Sequence, residues 1–259
     1  MTTEKAIDIL TRHEDDNEAL ETLAYKKRQE KSHEAKETMT KIIEGDAYEL
    51  IKQLPTASVD LIMTDPPYSF GTRGGRLAHR EIFGEIETAA LASGIDYSIL
   101  DEFLRVLRIP NLYIWCNKAQ LLDYLHFFHE KHGLNYEIVI WNKPHPIPFC
   151  NGHYLRDKEY CLFFWKTGAH LKGTYHTMRT CYTLSNTSDR KKYGHPTIKP
   201  LGLIKTLVEN STKVGDVVLD PFLGSGTTAV ACDMLGLSCI GFEKNPKYVE
   251  IAKRRINET

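Results

Sequence analysis

The segment Val217-Val218-Leu219-Asp220-Pro221-Phe222-Leu223-Gly224-Ser225-Gly226-Thr227-Thr228 leaves this chain few ways to fold. Its apolar run is too short for a helix and too continuous for a half-exposed strand, so it reads as a strand buried on both faces. The glycines at 224 and 226 turn the backbone tightly, and a helix opens behind them. Strands of that kind lie in parallel sheets covered by helices. The remaining sequence agrees. Apolar runs at Lys41-Ile43, Val59-Thr64, Leu112-Cys116, Glu137-Trp141, Tyr160-Trp165, Asp216-Asp220 and Ser238-Phe242 alternate with helical stretches at about 46–54, 97–107, 118–131, 199–212, 226–235 and 245–257. The expected fold is α/β, with a seven-stranded, mostly parallel sheet and helices on both faces.

Two connections, Ser69 to Asp96 and Thr167 to Gly194, are too long for simple turns, and long loops on such a sheet commonly carry binding groups. Residues 1–38 lack Gly and Pro and are rich in Glu, Lys, Ala and Leu, which predicts a helical extension ahead of a domain spanning 39–259. The formal net charge of -1 excludes a protein that coats nucleic acid through bulk charge. From Lys166 to Lys199, however, seven Lys or Arg face a single acid, Asp189, so a phosphate-binding surface, if the stretch is more than a solvated face, belongs there. The six cysteines show no Cys-x-x-Cys spacing, which argues against a zinc cage or disulfides. His126, His129 and His132 recur three apart on a predicted helix without a carboxylate partner and read as a surface face, so no metal is expected. No stretch reaches the roughly 18 apolar residues that span a bilayer. A cytoplasmic protein without membrane contact is the expectation.

The glycine turn at 224–226 carries chemistry as well as shape. Small residues let the backbone approach a ligand, the helix start offers free amides, and Glu243 ends the following apolar run where an acid can accept from both hydroxyls of a ribose. That suits an adenosine-containing cofactor, although a nicotinamide-binding unit has a similar turn; Ala229 stands where the dinucleotide fingerprint has its third glycine. A second motif is more specific. Val59-Asp60-Leu61-Ile62-Met63-Thr64-Asp65-Pro66-Pro67-Tyr68 sets a carboxylate, two prolines and an aromatic ring at the carboxyl end of a buried strand, where ligands bind in open parallel sheets. An exocyclic amine on a base is a poor nucleophile because its lone pair is delocalised into the ring. Hydrogen bonds from its two hydrogens to Asp65 and to the carbonyl of Pro66, which the prolines hold in place, favour a pyramidal, attacking nitrogen. Tyr68 offers a face on which an extruded base can stack. No cysteine follows a proline, so a Pro-Cys nucleophile for ring-carbon methylation is missing.

These residues resemble the amino-methyltransferases of nucleic acids, in which Asp-Pro-Pro-Tyr is the catalytic motif and Asp-Pro-Phe-x-Gly-x-Gly the cofactor motif; the resemblance runs from Lys41 to Ile256. It implies a Rossmann-like class I methyltransferase fold, and the catalytic motif preceding the cofactor motif resembles the circularly permuted beta group. It implies S-adenosylmethionine as methyl donor, S-adenosylhomocysteine as product, no metal, and DNA as substrate. Asp65, Pro66, Pro67 and Tyr68 are then catalytic. Asp46, Ala47, Lys199, Asp220, Pro221, Phe222, Gly224, Ser225, Gly226, Thr227 and Glu243 are then cofactor-binding, with Lys199, in His195-Pro196-Thr197-Ile198-Lys199-Pro200-Leu201, near the methionine carboxylate. Asp46 reads equally as a helix N-cap.

Residues 166–194 match the family's target-recognition segment, although short, and 69–96 forms a second DNA-facing loop. The DNA contacts expected are Arg73, Arg76, Arg80, Trp141, Lys143, Arg179, Arg190, Lys191 and Lys192, with Trp141 weighed evenly between base contact and core packing. A homodimer and a cognate restriction endonuclease are the further partners that the resemblance implies. Asp at the first catalytic position favours N6 of adenine in this family, with N4 of cytosine the nearest rival. An RNA or protein-glutamine methyltransferase, a nicotinamide-dependent oxidoreductase and an inactive DNA-binding relative are more distant.

Overall fold

The structure, a computed structural model, describes residues 39–68, 95–146, 154–185, 187–194 and 197–259, all in the unit Thr38–Thr259. The expected helical extension at 1–38 and the arginines 73, 76 and 80 lie outside the described residues. The strands are β1 (Thr40–Glu44), β2 (Leu61–Thr64), β3 (Asn111–Cys116), β4 (Asn135–Asn142), β5 (Lys158–Trp165), β6 (Cys181–Thr183), β7 (Val217–Asp220) and β8 (Ser238–Glu243). The helices are α1 (Ala47–Leu50), α2 (Ile99–Val106), α3 (Leu121–Tyr124), α4 (Thr187–Tyr193), α5 (Leu201–Ser211), α6 (Thr227–Met234) and α7 (Pro246–Asn257). A wider helical turn, Leu125–Lys131, continues α3.

The sheet runs β1-β8-β7-β2-β3-β5-β4-β6. Its pairs are parallel except those made by β5, which runs against both β3 and β4. Strands β2 and β3 are buried at every residue because helices cover both faces. Alternation then sorts side chains into two cores. Ile62, Leu112 and Ile114 pack with Phe103 of α2 and Tyr124 of α3, while Leu61, Met63, Tyr113 and Trp115 pack with Leu203, Ile204 and Leu207 of α5. Across the β3–β5 pair, Tyr113 faces Phe163 with stacked rings 4.2 Å apart, a cross-strand contact of the kind that fixes register.

All seven expected strands are present, and an eighth, β6, corrects the expected count. It has three residues, its end residues are exposed, and it lies at the sheet edge beside β4, so it carries no apolar run to betray it. What held it there is tertiary: Ile140 N donates to the Thr180 carbonyl at 2.7 Å and the Trp141 indole N–H to the Leu184 carbonyl at 2.8 Å. Together with α4, it shows that 166–194 is not a plain loop. The run expected at Val59-Thr64 becomes a strand only from Leu61, Val59 making an isolated bridge to Leu107.

Helix starts follow local chemistry. Asp46 caps α1 by accepting from Tyr48 N, and Asn245 caps α7 by accepting from Lys247 N, with Pro246 in the first turn. The expectation that His126, His129 and His132 lack a carboxylate partner is corrected at His126, which pairs with Glu130 one turn on at 2.8 Å, while His129 Nδ1 lies 2.7 Å from the Leu134 carbonyl. Among the described residues no helix is long and apolar enough to cross a membrane, and no group of three or more His, Cys, Asp or Glu is placed to hold a metal ion.

Candidate active site

Four adjacent parallel strands bring four acids to one edge of the sheet. In the order β1, β8, β7, β2, Asp46 lies just beyond β1, Glu243 ends β8, Asp220 ends β7 and Asp65 follows β2. The acidic turn and the glycine turn are thus neighbours, with Ile62 paired to Leu219. Carboxyl ends of parallel strands leave a crevice of this kind.

The glycine turn is held from three directions. Gly224 and Gly226 have φ of 54° and 82°, a left-handed conformation that glycine adopts without steric cost. At Gly226 a Cβ would stand 2.7 Å from the Ala252 Cβ and 2.9 Å from its Cα, because α7 lies directly against the turn. Glu243 accepts from Gly224 N at 2.8 Å and from Asn245 N at 2.7 Å. Arg255, buried in α7, donates to the Ser225 carbonyl at 2.8 Å, the Ser225 hydroxyl at 3.0 Å and the Thr227 hydroxyl at 2.9 Å. The sequence reading missed Arg255, since an arginine in the last turn of an amphipathic helix ordinarily faces solvent.

Asp220 is buried, and its carboxylate accepts from Phe222 N at 3.1 Å. Burial pushes its carboxyl up to about 7, against the hydrogen bonds from Thr228 and Phe222, which lower it. A carboxyl raised on folding contributes stability that is complete below its unfolded value and lost as pH rises through about 7. Asp220→Asn is therefore expected to raise the melting temperature of the ligand-free protein at pH 8 and to have little effect at pH 4, read by calorimetry across pH. A gain independent of pH would show that Asp220 is not the strained acid.

Asp46, besides capping α1, forms an ion pair with Lys244 at 2.9 Å. The Lys244 hydrogen bond is the main influence holding its carboxyl below the usual range. Ala47 is buried, and the Tyr48 ring meets Phe222 edge-on at 6.1 Å.

Around the acidic turn, Gln120 donates to the Pro67 carbonyl at 3.1 Å. One Asp65 oxygen, Oδ2, pairs with the Lys199 ammonium, and the Tyr68 hydroxyl is also hydrogen-bonded to Asp65. The other, Oδ1, is shut off from solvent and has no hydrogen-bond partner. Lys199 Nζ is 3.2 Å from Glu159 Oε2, and Glu159 Oε1 pairs with Lys143. The Lys199 ammonium also lies 5.1 Å from the Trp115 ring centre and 5.6 Å from that of Tyr68. Burial raises the Asp65 carboxyl, with the Lys199 charge opposing it and that of Glu159 adding to it. Burial acts to raise Glu159 too, but Lys199 and Lys143 outweigh it and leave that carboxyl below its usual range. Lys199 is held fully charged, since its two carboxylates overcome burial.

The structure therefore gathers Asp46, Asp65, Tyr68, Lys199, Asp220, Gly224, Gly226 and Glu243, with Lys199 set on the acidic turn. The expected DNA-contacting residues are scattered. Trp141 is 2% exposed and packs in the core, Lys143 is engaged with Glu159, and Lys192 pairs with Glu258 at 2.8 Å. Arg179 is exposed and stacks on the exposed ring of Tyr175 at 5.6 Å, and Lys191 is exposed. The side chain of Arg190 lies outside the described residues.

Known proteins resemble this chain in sequence and fold. The N6_N4_Mtase family model, described as DNA methylase, matches residues 59–254. The type II methyltransferase M.HinfI of Haemophilus influenzae is 30% identical over 246 residues, covering 84% of this chain and 68% of that protein. The crystal structure of the M1.HpyAVI-SAM complex superposes with a TM-score of 0.61 at 29% identity, covering 84% of this chain and 100% of its own. The cytosine-N4-specific PvuII DNA methyltransferase shares the fold, with a TM-score of 0.61 at 20% identity over 84% of this chain and 87% of its own. A strand-end acid beside a glycine turn, in a match that spans both motifs, places the chain in the N6/N4 DNA methylase family.

Proposed function

We propose that this chain is an S-adenosylmethionine-dependent DNA methyltransferase that modifies N6 of adenine. The observation that carries the reading is Asp65 at the end of β2, one oxygen shut off from solvent and unpartnered, in the turn beside the glycine turn that follows β7. When bound, the cofactor supplies an electrophilic methyl group on a sulfonium and keeps the carbon–sulfur electron pair as the methyl leaves. The residues fit such a group. A row of carboxylates suits a ligand bearing hydroxyls and positive charge, and the two left-handed glycines keep side chains out of the turn. In this reading Glu243, Asp46, Ala47, Asp220 and the turn from Pro221 and Phe222 to Thr227 would hold the cofactor.

The Asp65 carboxylate, part of an acidic side chain 28% exposed, would accept one hydrogen of the substrate amine and the Pro66 carbonyl the other, and the ring of Tyr68 would support an extruded base. Asp65 would receive the proton that the amine sheds on becoming methylated. Orientation and exclusion of water supply most of the acceleration. Adenine is favoured because Asp occupies the first catalytic position. Arg73, Arg76, Arg80, Lys143, Arg179, Arg190, Lys191 and Lys192 supply the phosphate contacts in this reading, and Trp141 supports the pocket edge from the core. A homodimer and a cognate restriction endonuclease, the latter in line with relatives named type II methyltransferases, complete the proposal.

The test is to methylate DNA with the purified protein and S-adenosylmethionine, digest it to nucleosides and identify the product by mass spectrometry. N6-methyldeoxyadenosine is expected. N4-methyldeoxycytidine would overturn the base assignment, and no methylated nucleoside would overturn the DNA substrate.

A further inference from the structure

Glu159 belongs to neither motif. It stands on β5, the reversed strand, opposite Trp141 of β4. Its carboxylate nevertheless meets both Lys199 and Lys143, so two ammonium groups and two carboxylates alternate in the row Asp65, Lys199, Glu159, Lys143. The side chain of Lys199 is 7% exposed and that of Glu159 19%, so solvent screens the centre of the row little, while Asp65 and Lys143 at its ends are more open. Removing either carboxylate alone leaves an excess positive charge in a half-dry site, which is costly. A pair of Asp65 with Lys199 would have been enough for neutrality, so the second pair calls for a reason.

Basicity is that reason. Asp65 must accept a hydrogen from an amine, and an ammonium bound wholly to it would draw electron density away and weaken it as an acceptor. The Lys199 ammonium hydrogen-bonds Asp65 Oδ2 and stands in ion-pair range of Glu159 Oε2 without hydrogen-bond geometry, so Glu159 shares its charge rather than its N–H groups. We propose that Glu159 is a positioning residue for methyl transfer, sharing the Lys199 ammonium so that Asp65 remains an effective acceptor for the substrate amine. The inference rests on the function proposed above for its substrate, but the arrangement of charge does not depend on which base is modified. The other titratable groups facing the row are the Tyr68 and Tyr124 hydroxyls, the thiols of Cys116 on β3 and Cys161 on β5, and the Asp220 carboxyl. Burial is the main cause raising all five; the hydroxyls and thiols stay neutral, while Asp220 is pushed up to about 7 and is present unchanged in wild type and both Glu159 variants. The two acids differ as the proposal requires, Asp65 lying above its ordinary value and Glu159 below.

The experiment has a kinetic and a spectroscopic arm. In Glu159→Gln, Lys199 belongs to Asp65 alone and the repulsion from Glu159 is gone, so the Asp65 carboxyl should become more acidic. The expected result is a fall in kcat of about tenfold, a KM for DNA within a few-fold of wild type, and an acid limb of the rate profile displaced to lower pH. Glu159→Asp keeps the charge and should restore the position of that limb. A loss of rate with an unmoved limb, equal in both variants, would overturn the proposal, because that is what a merely structural role predicts. The second arm needs neither variant to be active. Carboxyl 13C titration of the wild-type protein should show Glu159 deprotonating at lower pH than Asp65, and the reverse order would equally overturn the proposal. Absence of methyl transfer to DNA by wild type, with that order intact, would instead count against the function.

Discussion

Asp65→Ala is expected to lower kcat by about a thousandfold or more while leaving affinity for S-adenosylmethionine within a few-fold. The separation of effects follows from position. Asp65 follows β2, whereas the residues proposed to hold the cofactor follow β1, β7 and β8. Its loss removes the acceptor for the amine and leaves Lys199 with Glu159 alone, but leaves Glu243 on the Gly224 amide and Arg255 on Ser225 undisturbed. The excess positive charge left on the row is expected to cost stability, so a fall in Tm is read separately from the rate. Radioactive methyl incorporation into DNA would read the rate and titration calorimetry the affinity. A variant that transferred methyl groups at the wild-type rate would sink the mechanism, and one that lost cofactor binding in proportion would move Asp65 into the cofactor site.

Gly226→Ala is expected to damage both stability and cofactor binding. Placing an alanine at φ of 82° costs about 1–2 kcal/mol. The new Cβ would also press on the Cα and Cβ of Ala252, and overpacking of this kind costs about 1–3 kcal/mol. Together these effects should lower Tm by roughly 5–15 °C for a domain of this size. The two causes can be separated, because Ala252→Gly in the same chain opens the space without changing the backbone conformation at 226. The double variant should recover part of the lost Tm; no recovery would mean that α7 does not press on the turn as the structure shows it. An unchanged Tm in Gly226→Ala itself would dismiss both causes.

Much of this site was legible in the linear chain because its chemistry is local. A carboxylate, two prolines and a tyrosine at a strand end, and an acid with two glycines at another, each work within one turn of backbone, so adjacent letters record them. The period-two and continuous apolar patterns placed seven strands because burial on one or both faces leaves a mark at every residue. That logic fails for β6, which has an intermediate residue between two exposed ones, and for the direction of β5, since an apolar run reads alike from either end. It fails too for Trp141, whose even weighing between base and core needed its neighbours to resolve it.

The sequence by itself determined the fold class, the order of the two motifs and the residues of the acidic and glycine turns, all of which depend on chemistry between near neighbours. Tertiary structure alone decided that Lys199 reaches Asp65 across 134 positions, that Glu159 on a reversed strand shares its charge, and that Arg255 braces Ser225 from 30 positions away. Charges act through space, and a distance in space is set by how strands are ordered and directed in the sheet, which no single stretch of the chain encodes.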